Sequence, residues 1–565
     1  MSLLPDLRSP VHRPTARFRL ALLLLILLGG TLLRSQELFK PWTGNHSAWG
    51  GAMYGNIARN FVKYGYLATR FGPVANTGTV EPADFEFYYH YPPLLVWLIS
   101  ASDHLFGVSE FSARLVPLVF SILLMLLVER FARRNWGDAV GLTAMAFCAV
   151  MPVETYYGAH VDIYNAVPVF FTLLAVAAYA QFRDGGRTRH LLLCALAVTL
   201  GCATTWYTYF LVPFLLLDHV LSRRPHSGIP TAADVCLLRD LSGPSRPHAV
   251  GRRRPPRPLD WRMLWIPACA VAIFGLFLLH RRLLLQDTGA EVHGTLLEKL
   301  WARLSYGNLL TDKGVRLSLP AYVLHHTRDL LRMFTPPLVA LTALWLLAFL
   351  RDWRNRRLHS ANGLALMLLG YGFLHNSVFP SVVSGHDYLV CCHTPGIAIT
   401  SAALLHRLAT RARRFSPVTG HGLLGGAVLA VLASGLYMTQ RLHDWDPRYA
   451  LAARERGEIV RQHTAPTDLV LWCAPADQVL AYYADRRIRF GVSQQAQVQE
   501  LCSREPSNCY FACPSILAAQ QPAVAWLRQQ HEPHHEDKVL VFRVPSPTQP
   551  PAPDPSSDER APSNP

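Results

Sequence analysis

Long apolar runs alternate with short charged loops along this chain. Eleven of them, near 17–34, 112–132, 138–153, 163–181, 190–204, 205–221, 262–284, 334–350, 361–379, 388–407 and 420–440, predict membrane-spanning helices, several of them short. The stretch 92–107 is a different case. Its sixteen residues carry Asp103 and His104, and as a helix they would reach only about 24 Å against a hydrocarbon core of about 30 Å. It is expected to lie along the outer surface. Beyond Gln440 the pattern becomes that of a soluble protein. Arg448–His463 has helical periodicity with mixed charge, Leu469–Trp472 reads as a buried strand, and Gln478–Ala484 as a helix ahead of 487–492.

Composition agrees with a polytopic membrane protein, at 51% hydrophobic and 16% charged residues and a mean hydropathy of +0.17. The net charge of +16 does not indicate nucleic acid, because the basic residues sit in short runs between apolar segments. Those runs fix an orientation. Arg8, Arg13, Arg17 and Arg19 open the chain, and no cleavage site follows the first apolar run, so that run is expected to be a retained anchor with its N-terminus inside. With 92–107 kept outside the membrane, Arg130/Arg133/Arg134, Arg183/Arg187/Arg189, 223–260, 351–359 and 407–414 all fall on the cytoplasmic side. Counting 92–107 as a span would push all five runs outside.

The outer side then receives 33–111, the turn 154–162, the loop 285–333, the turn 380–387 and everything after Gln440. The expected organisation is a cytoplasmic N-terminus (1–16), an α-helical transmembrane domain (17–440), a small α/β extracytoplasmic domain (441–544) and a disordered Pro- and Ser-rich tail (545–565). The insert 222–260, with Arg252-Arg253-Arg254-Pro255-Pro256-Arg257, is expected to be a cytoplasmic linker touching anionic lipid. No internal repeat is visible. Of eleven cysteines, Cys473, Cys502, Cys509 and Cys513 fall in the outer domain, where one or two disulfides are permitted, with three connectivities if all four pair. A zinc site is the lesser alternative, since Cys509-x3-Cys513 is half a motif. The cluster His531-Glu532-Pro533-His534-His535-Glu536-Asp537 reads as a solvated loop rather than a metal site.

The first outer loop carries helical character around Met53-Tyr54-Gly55-Asn56-Ile57-Ala58-Arg59-Asn60-Phe61, with Gly65-Tyr66 as the stop. It continues to Val80-Glu81-Pro82-Ala83-Asp84-Phe85-Glu86-Phe87-Tyr88-Tyr89-His90-Tyr91-Pro92-Pro93. Three carboxylates and an imidazole so close together suit acid/base or metal chemistry, although each alone suits a solvated loop. Then follow Leu105-Phe106-Gly107-Val108-Ser109-Glu110-Phe111-Ser112-Ala113-Arg114-Leu115 and a polar turn opening the fourth span. In that order, these motifs resemble the membrane glycosyltransferases of the C-type fold, in particular the family-39 group containing protein O-mannosyltransferases and the aminoarabinose transferase of lipid A. The resemblance runs over about 17–440 and is strongest over 50–180.

What the resemblance implies is transfer of a sugar from a polyprenyl-phosphate carrier to a lipid, glycan or protein acceptor on the non-cytoplasmic face. That reaction needs a carboxylate to take the acceptor proton, donors for the departing phosphate and an apolar groove for the prenyl tail. By resemblance, Arg114 and His90 contact donor phosphate; the alternatives are interfacial snorkelling for Arg114 and a backbone hydrogen bond for His90. Asp162 sits where relatives carry an acid facing the site, and where a helix cap would also explain it. His160 is a lesser candidate, and His386-Asp387-Tyr388 resembles a His-acid-Tyr element that binds phosphate or acceptor.

The chain departs from the family pattern in one respect. Relatives carry an acid just before the Ala-Arg-Asn helix, whereas here no acid lies between Glu37 and Glu81, and the expected position falls in Asn45-His46-Ser47-Ala48-Trp49-Gly50-Gly51. Either His46 supplies the base, or Glu81, Asp84, Glu86 or Asp162 takes the role, or activity is lost and the chain is a binding subunit. Relocation is favoured. A polytopic transporter is the remaining rival, disfavoured because ionisable residues collect outside the spans. No cofactor beyond the lipid-linked donor is implied, and a divalent metal is left open. A bacterial inner membrane with the site facing out is the expected location.

Overall fold

The computed structural model describes residues 16–42, 46–221, 260–288, 318–355, 360–380, 383, 386–444 and 448–544. The linker 222–259, most of the loop 285–333 and the tail 545–565 lie outside the described residues. The chain divides into two compact units, Met1–Pro41 with Tyr88–Trp445, and Trp42–Phe87 with Asp446–Pro565.

The first unit is helical. Each of the eleven apolar runs coincides with helix, from Ala16–Arg34 to Pro417–His443. Among the described residues, six helices are long and apolar enough to cross a membrane, and Leu319–Phe334 with Pro336–Arg354 forms a bent pair turning through 114°. The bend falls at Thr335, a buried β-branched residue held at φ 70°. Asp138–Val150 and Thr188–Cys202, at 13 and 15 residues, are shorter than the roughly 20 residues of a simple span. Leu94–Phe106, also 13 residues, is equally short.

Local chemistry sets these boundaries. The helix Glu110–Trp136 opens on a reciprocal box in which Ser112 N–H donates to Ser109 Oγ at 3.2 Å and Ser109 N–H to Ser112 Oγ at 3.1 Å. It closes on Arg133 and Arg134, with Gly137 at φ 98° as the stop. An ion pair and a hydrogen bond lock it to the first helix: Arg19 meets Glu129 at 2.5 Å, and at the other end of that helix Arg34 donates to Ser121 Oγ at 2.7 Å. Arg34 is fully buried and spends its remaining N–H groups on the carbonyls of Gly30, Ala149 and Cys148, with Glu154 at 3.8 Å. A buried charge persists only when paired and hydrogen-bonded like this. Gly158 completes the knot, since a Cβ there would collide with the Glu154 carbonyl and crowd the Ser121 hydroxyl.

The second unit is α/β. Its sheet has the order β2-β1-β3-β4, with β1 (Leu469–Trp472) parallel to both β2 (Arg487–Phe490) and β3 (Cys509–Pro514), and β4 (Val539–Val544) antiparallel to β3. One face packs Leu469, Leu471, Phe511, Leu540 and Phe542 into a core with Val498 and Leu527 from the helices Gln495–Ser503 and Pro522–Gln530. The domain boundary differs from the sequence expectation. Residues 42–87 of the first outer loop group with this domain and not with the helical unit. Thr77 Oγ1 donates to the Arg486 carbonyl at 2.6 Å, Thr79 N–H to Pro466 at 3.1 Å, and Arg59 lies 4.1 Å over the Tyr482 ring and 3.1 Å from Asp485.

Candidate active site

In the helical unit, three segments that precede helices come together. The short helix Pro152–Tyr157 leads into a turn ended by Asn165, whose side chain donates to the Tyr157 carbonyl at 3.1 Å and so closes the turn ahead of Ala166–Gly185. Within that turn Asp162 is buried and one carboxylate oxygen accepts from Tyr164 N–H at 2.9 Å. The 3-10 segment Asp387–His393 leads into Thr394–Arg413. Tyr157 O–H donates to Asp387 at 2.6 Å, and Arg332 approaches the other oxygen at 3.7 Å. In the third segment, 88–93 ahead of the helix Leu94–Phe106, Tyr91 accepts from Tyr164 O–H at 3.3 Å and the His90 carbonyl accepts from Trp206 Nε1–H at 3.2 Å.

Rings join these segments into one wall. Tyr388 packs against both Tyr157 and Tyr164, with centroids 5.8 and 6.2 Å apart, and Tyr164 also meets Tyr91 at 5.5 Å and Tyr207 at 5.8 Å. The result is an aromatic surface carrying two carboxylates, on the segments that lead into Ala166–Gly185 and Thr394–Arg413, and the Arg332 guanidinium from the last turn of Leu319–Phe334.

The predicted residues divide accordingly. Asp162 and Asp387 belong to this cluster. His386 touches it through an edge contact with Tyr388 at 5.3 Å. His90 is exposed and in contact with the Tyr88 ring at 4.9 Å. His160 faces elsewhere: its Nε2 donates to Glu37 at 2.9 Å, while His443 Nδ1 donates to the other Glu37 oxygen at 3.0 Å. Burial draws the His160 imidazole below its ordinary 6.5, against the opposing pull of Glu37. Arg114 is buried and donates to the carbonyls of Lys40 and, at 3.1 Å, Pro41. Each of its terminal nitrogens thus donates to backbone. Asp84 and Glu86 lie in the other unit and are exposed, with Glu86 3.5 Å from Arg489. His46 begins the helix His46–Tyr64 of that unit. Among the described residues, no three His, Cys, Asp or Glu side chains gather to hold a metal ion.

Tyr91, Tyr157 and Tyr164 were not singled out from the sequence, and Arg332 stood only among several charged residues of the outer loop 285–333. Arg332 carried a signal, for Arg328, Asp329 and Arg332 recur at helical spacing in an otherwise amphipathic helix. The tyrosines carried none beyond their abundance between the motifs.

Residues 90–237 match the family described as dolichyl-phosphate-mannose-protein mannosyltransferase. The fold is similar to that of ArnT from Cupriavidus metallidurans, solved bound to undecaprenyl phosphate (TM-score 0.60, 12% identity, covering 93% of this chain and 98% of that one) and in the apo state (0.59, 12%, 92% and 97%). It is also similar to the oligosaccharyltransferase of Archaeoglobus fulgidus tethered with an acceptor peptide (0.53, 13%, 89% and 70%). A search of curated protein sequences returns no match. The chain is a polytopic membrane protein of the C-type glycosyltransferase fold.

Proposed function

We propose that the protein transfers a sugar from a polyprenyl-phosphate donor to a hydroxyl acceptor on the non-cytoplasmic face of a bacterial inner membrane. The observation that carries this reading is the juncture of Asp387, Arg332 and Tyr157 with the tyrosine wall around Asp162. Asp162 takes the proton of the attacking hydroxyl as its oxygen bonds to the anomeric carbon. The bond from that carbon to phosphate breaks, and the lipid phosphate leaves toward Arg332. Asp387, held by Tyr157, orients Arg332 and the acceptor. The long helices support the sidedness: Ala166–Gly185 and Thr394–Arg413 begin at the cluster and end in Arg183 and in Arg411 and Arg413, the charge bias of a cytoplasmic end.

The test is transfer from a panel of radiolabelled polyprenyl-phosphate sugars into membrane extract, with Asp162→Asn, Asp387→Asn and Asp84→Asn beside the wild type. Loss of a general base costs about 10²–10⁴-fold in rate. Asp162→Asn is expected to lose transfer by that factor, and Asp84→Asn to retain it. A second reading is favoured by the absence of any acid between Glu37 and Glu81: an inactive relative that binds lipid-linked sugar. Wild type that binds donor yet transfers to no extract establishes that reading instead.

A further inference from the structure

Two of the four cysteines of the α/β unit, Cys502 and Cys509, are joined as a disulfide seven residues apart, with Cα atoms at 5.6 Å. The other two are buried and meet across the sheet. Side chains alternate along a strand, so Cys509, Phe511 and Cys513 of β3 share the core face with Leu469 and Leu471 of β1. The register pairs Leu469 with Cys509 and Trp472 with Ala512, and Cys473 N–H donates to the Ala512 carbonyl at 3.2 Å. Parallel pairing therefore continues one residue past β1 and sets Cys473 beside Cys513, on the same face. Adjacent strands lie about 4.7–4.9 Å apart, within the Cα separation a disulfide spans. The two sulfurs are 2.7 Å from each other. No His, Asp or Glu among the described residues joins them to make a metal site.

We propose that Cys473 and Cys513 form a second disulfide beside Cys502–Cys509, choosing one of the three possible connectivities. The inference rests on the outer-side placement of this unit that the sequence predicts. Each thiol gives up one proton and one electron as the S–S bond forms. A thiol oxidase bearing its own disulfide accepts both by exchange and is reduced to a dithiol. The cross-link fixes the exit of β1 at a consequential place. From Cys473 the chain runs to Asp477, which caps the helix Gln478–Ala484 by accepting from Val479 and Leu480 N–H at 3.0 and 3.1 Å. Tyr482 on that helix and Asp485 at its C-terminal end hold Arg59 of the outer-loop helix His46–Tyr64. The bond thus anchors the mount of that helix.

The experiment is tryptic mapping, without reduction, of the full-length protein alkylated in intact cells. Cleavage at arginine places Cys473 in 462–486, Cys502 in 490–504, and Cys509 with Cys513 in 505–528. The expected result is one species containing all three peptides, with fragmentation locating the Cys473–Cys513 bond. Recovery of 462–486 as a singly alkylated peptide while the other two remain linked overturns the inference and leaves the outward placement standing. A bond from Cys473 to Cys502 or Cys509 also overturns it. Alkylation of all four cysteines overturns both the inference and the outward placement.

Discussion

At the scale of single residues, the two carboxylates differ in what their surroundings ask of them. Asp162 is buried with one oxygen tied to backbone, whereas Asp387 is partly open and is held by Tyr157 and Arg332. Asp162→Asn is therefore expected to lower kcat, and Asp387→Asn to act mainly through KM, which steady-state kinetics on one acceptor will separate. Equal losses in kcat would remove the division of roles. His160 makes a prediction about pH. Glu37, His443, Arg114, Tyr156 and Tyr157 face it, and burial keeps its imidazole below 6.5. An unfolded chain protonates this His near 6.5, so below that value unfolding takes up a proton that the folded state refuses. The His160 contribution to stability is complete above 6.5 and is lost progressively as pH falls through and below it. Melting of the detergent-solubilised protein between about pH 5.5 and 7.5 should show a slope that His160→Gln flattens, and identical slopes would refute this account.

At the scale of elements, the periodic signal was the legible part. Each of the eleven apolar runs coincides with helix, and the strand Leu469–Trp472 and helix Gln478–Ala484 appear where the short apolar run and the helical period placed them. What the sequence hid was the destination of polar side chains. The Ala58-Arg59-Asn60 motif is an example: Asn56 and Asn60 donate to the carbonyls of Val74, Ala75 and Asn76 at 2.8–3.1 Å, folding the following loop against their own helix. Arg114 is another, because the carbonyls that take its guanidinium lie over seventy residues earlier. Removing it takes the donors from the Lys40 and Pro41 carbonyls, each bond contributing about 1 kcal/mol. Arg114→Met is thus expected to lower the melting temperature while the folded fraction still binds undecaprenyl phosphate. Arg332→Gln should do the reverse, since Arg332 is half exposed and touches Asp387 at the cluster. Measuring lipid binding and melting on the same two preparations decides between these roles, and weakened binding by Arg114→Met at unchanged stability would return Arg114 to the phosphate.

At the scale of the molecule, the misplaced domain boundary has the most to say. Residues 42–87 look like a loop between helices, yet their anchors are more than four hundred residues away: Thr77 on Arg486 and Arg59 on Tyr482 and Asp485. Periodicity is local and cannot report such a pairing. Gly78 shows how close the approach is, for at φ 71° a Cβ would press into the Arg486–Arg487 backbone. The stretch 42–87 also has a small core of its own, Val74, Val80 and Phe85, which is too little apolar area to offset the conformational entropy of ordering it alone. Its order must therefore come from the C-terminal half of the unit. Truncation after residue 445 is expected to leave the helical spans inserted and to open 42–87 to protease, with cleavage at Arg59, Lys63 or Arg70 that the full-length protein resists. Limited trypsin digestion of proteoliposomes reads this directly. Equal resistance in the truncated and full-length proteins would mean that the loop is held by the helical unit, and that the C-terminal half is an independent appendage rather than the other half of one fold.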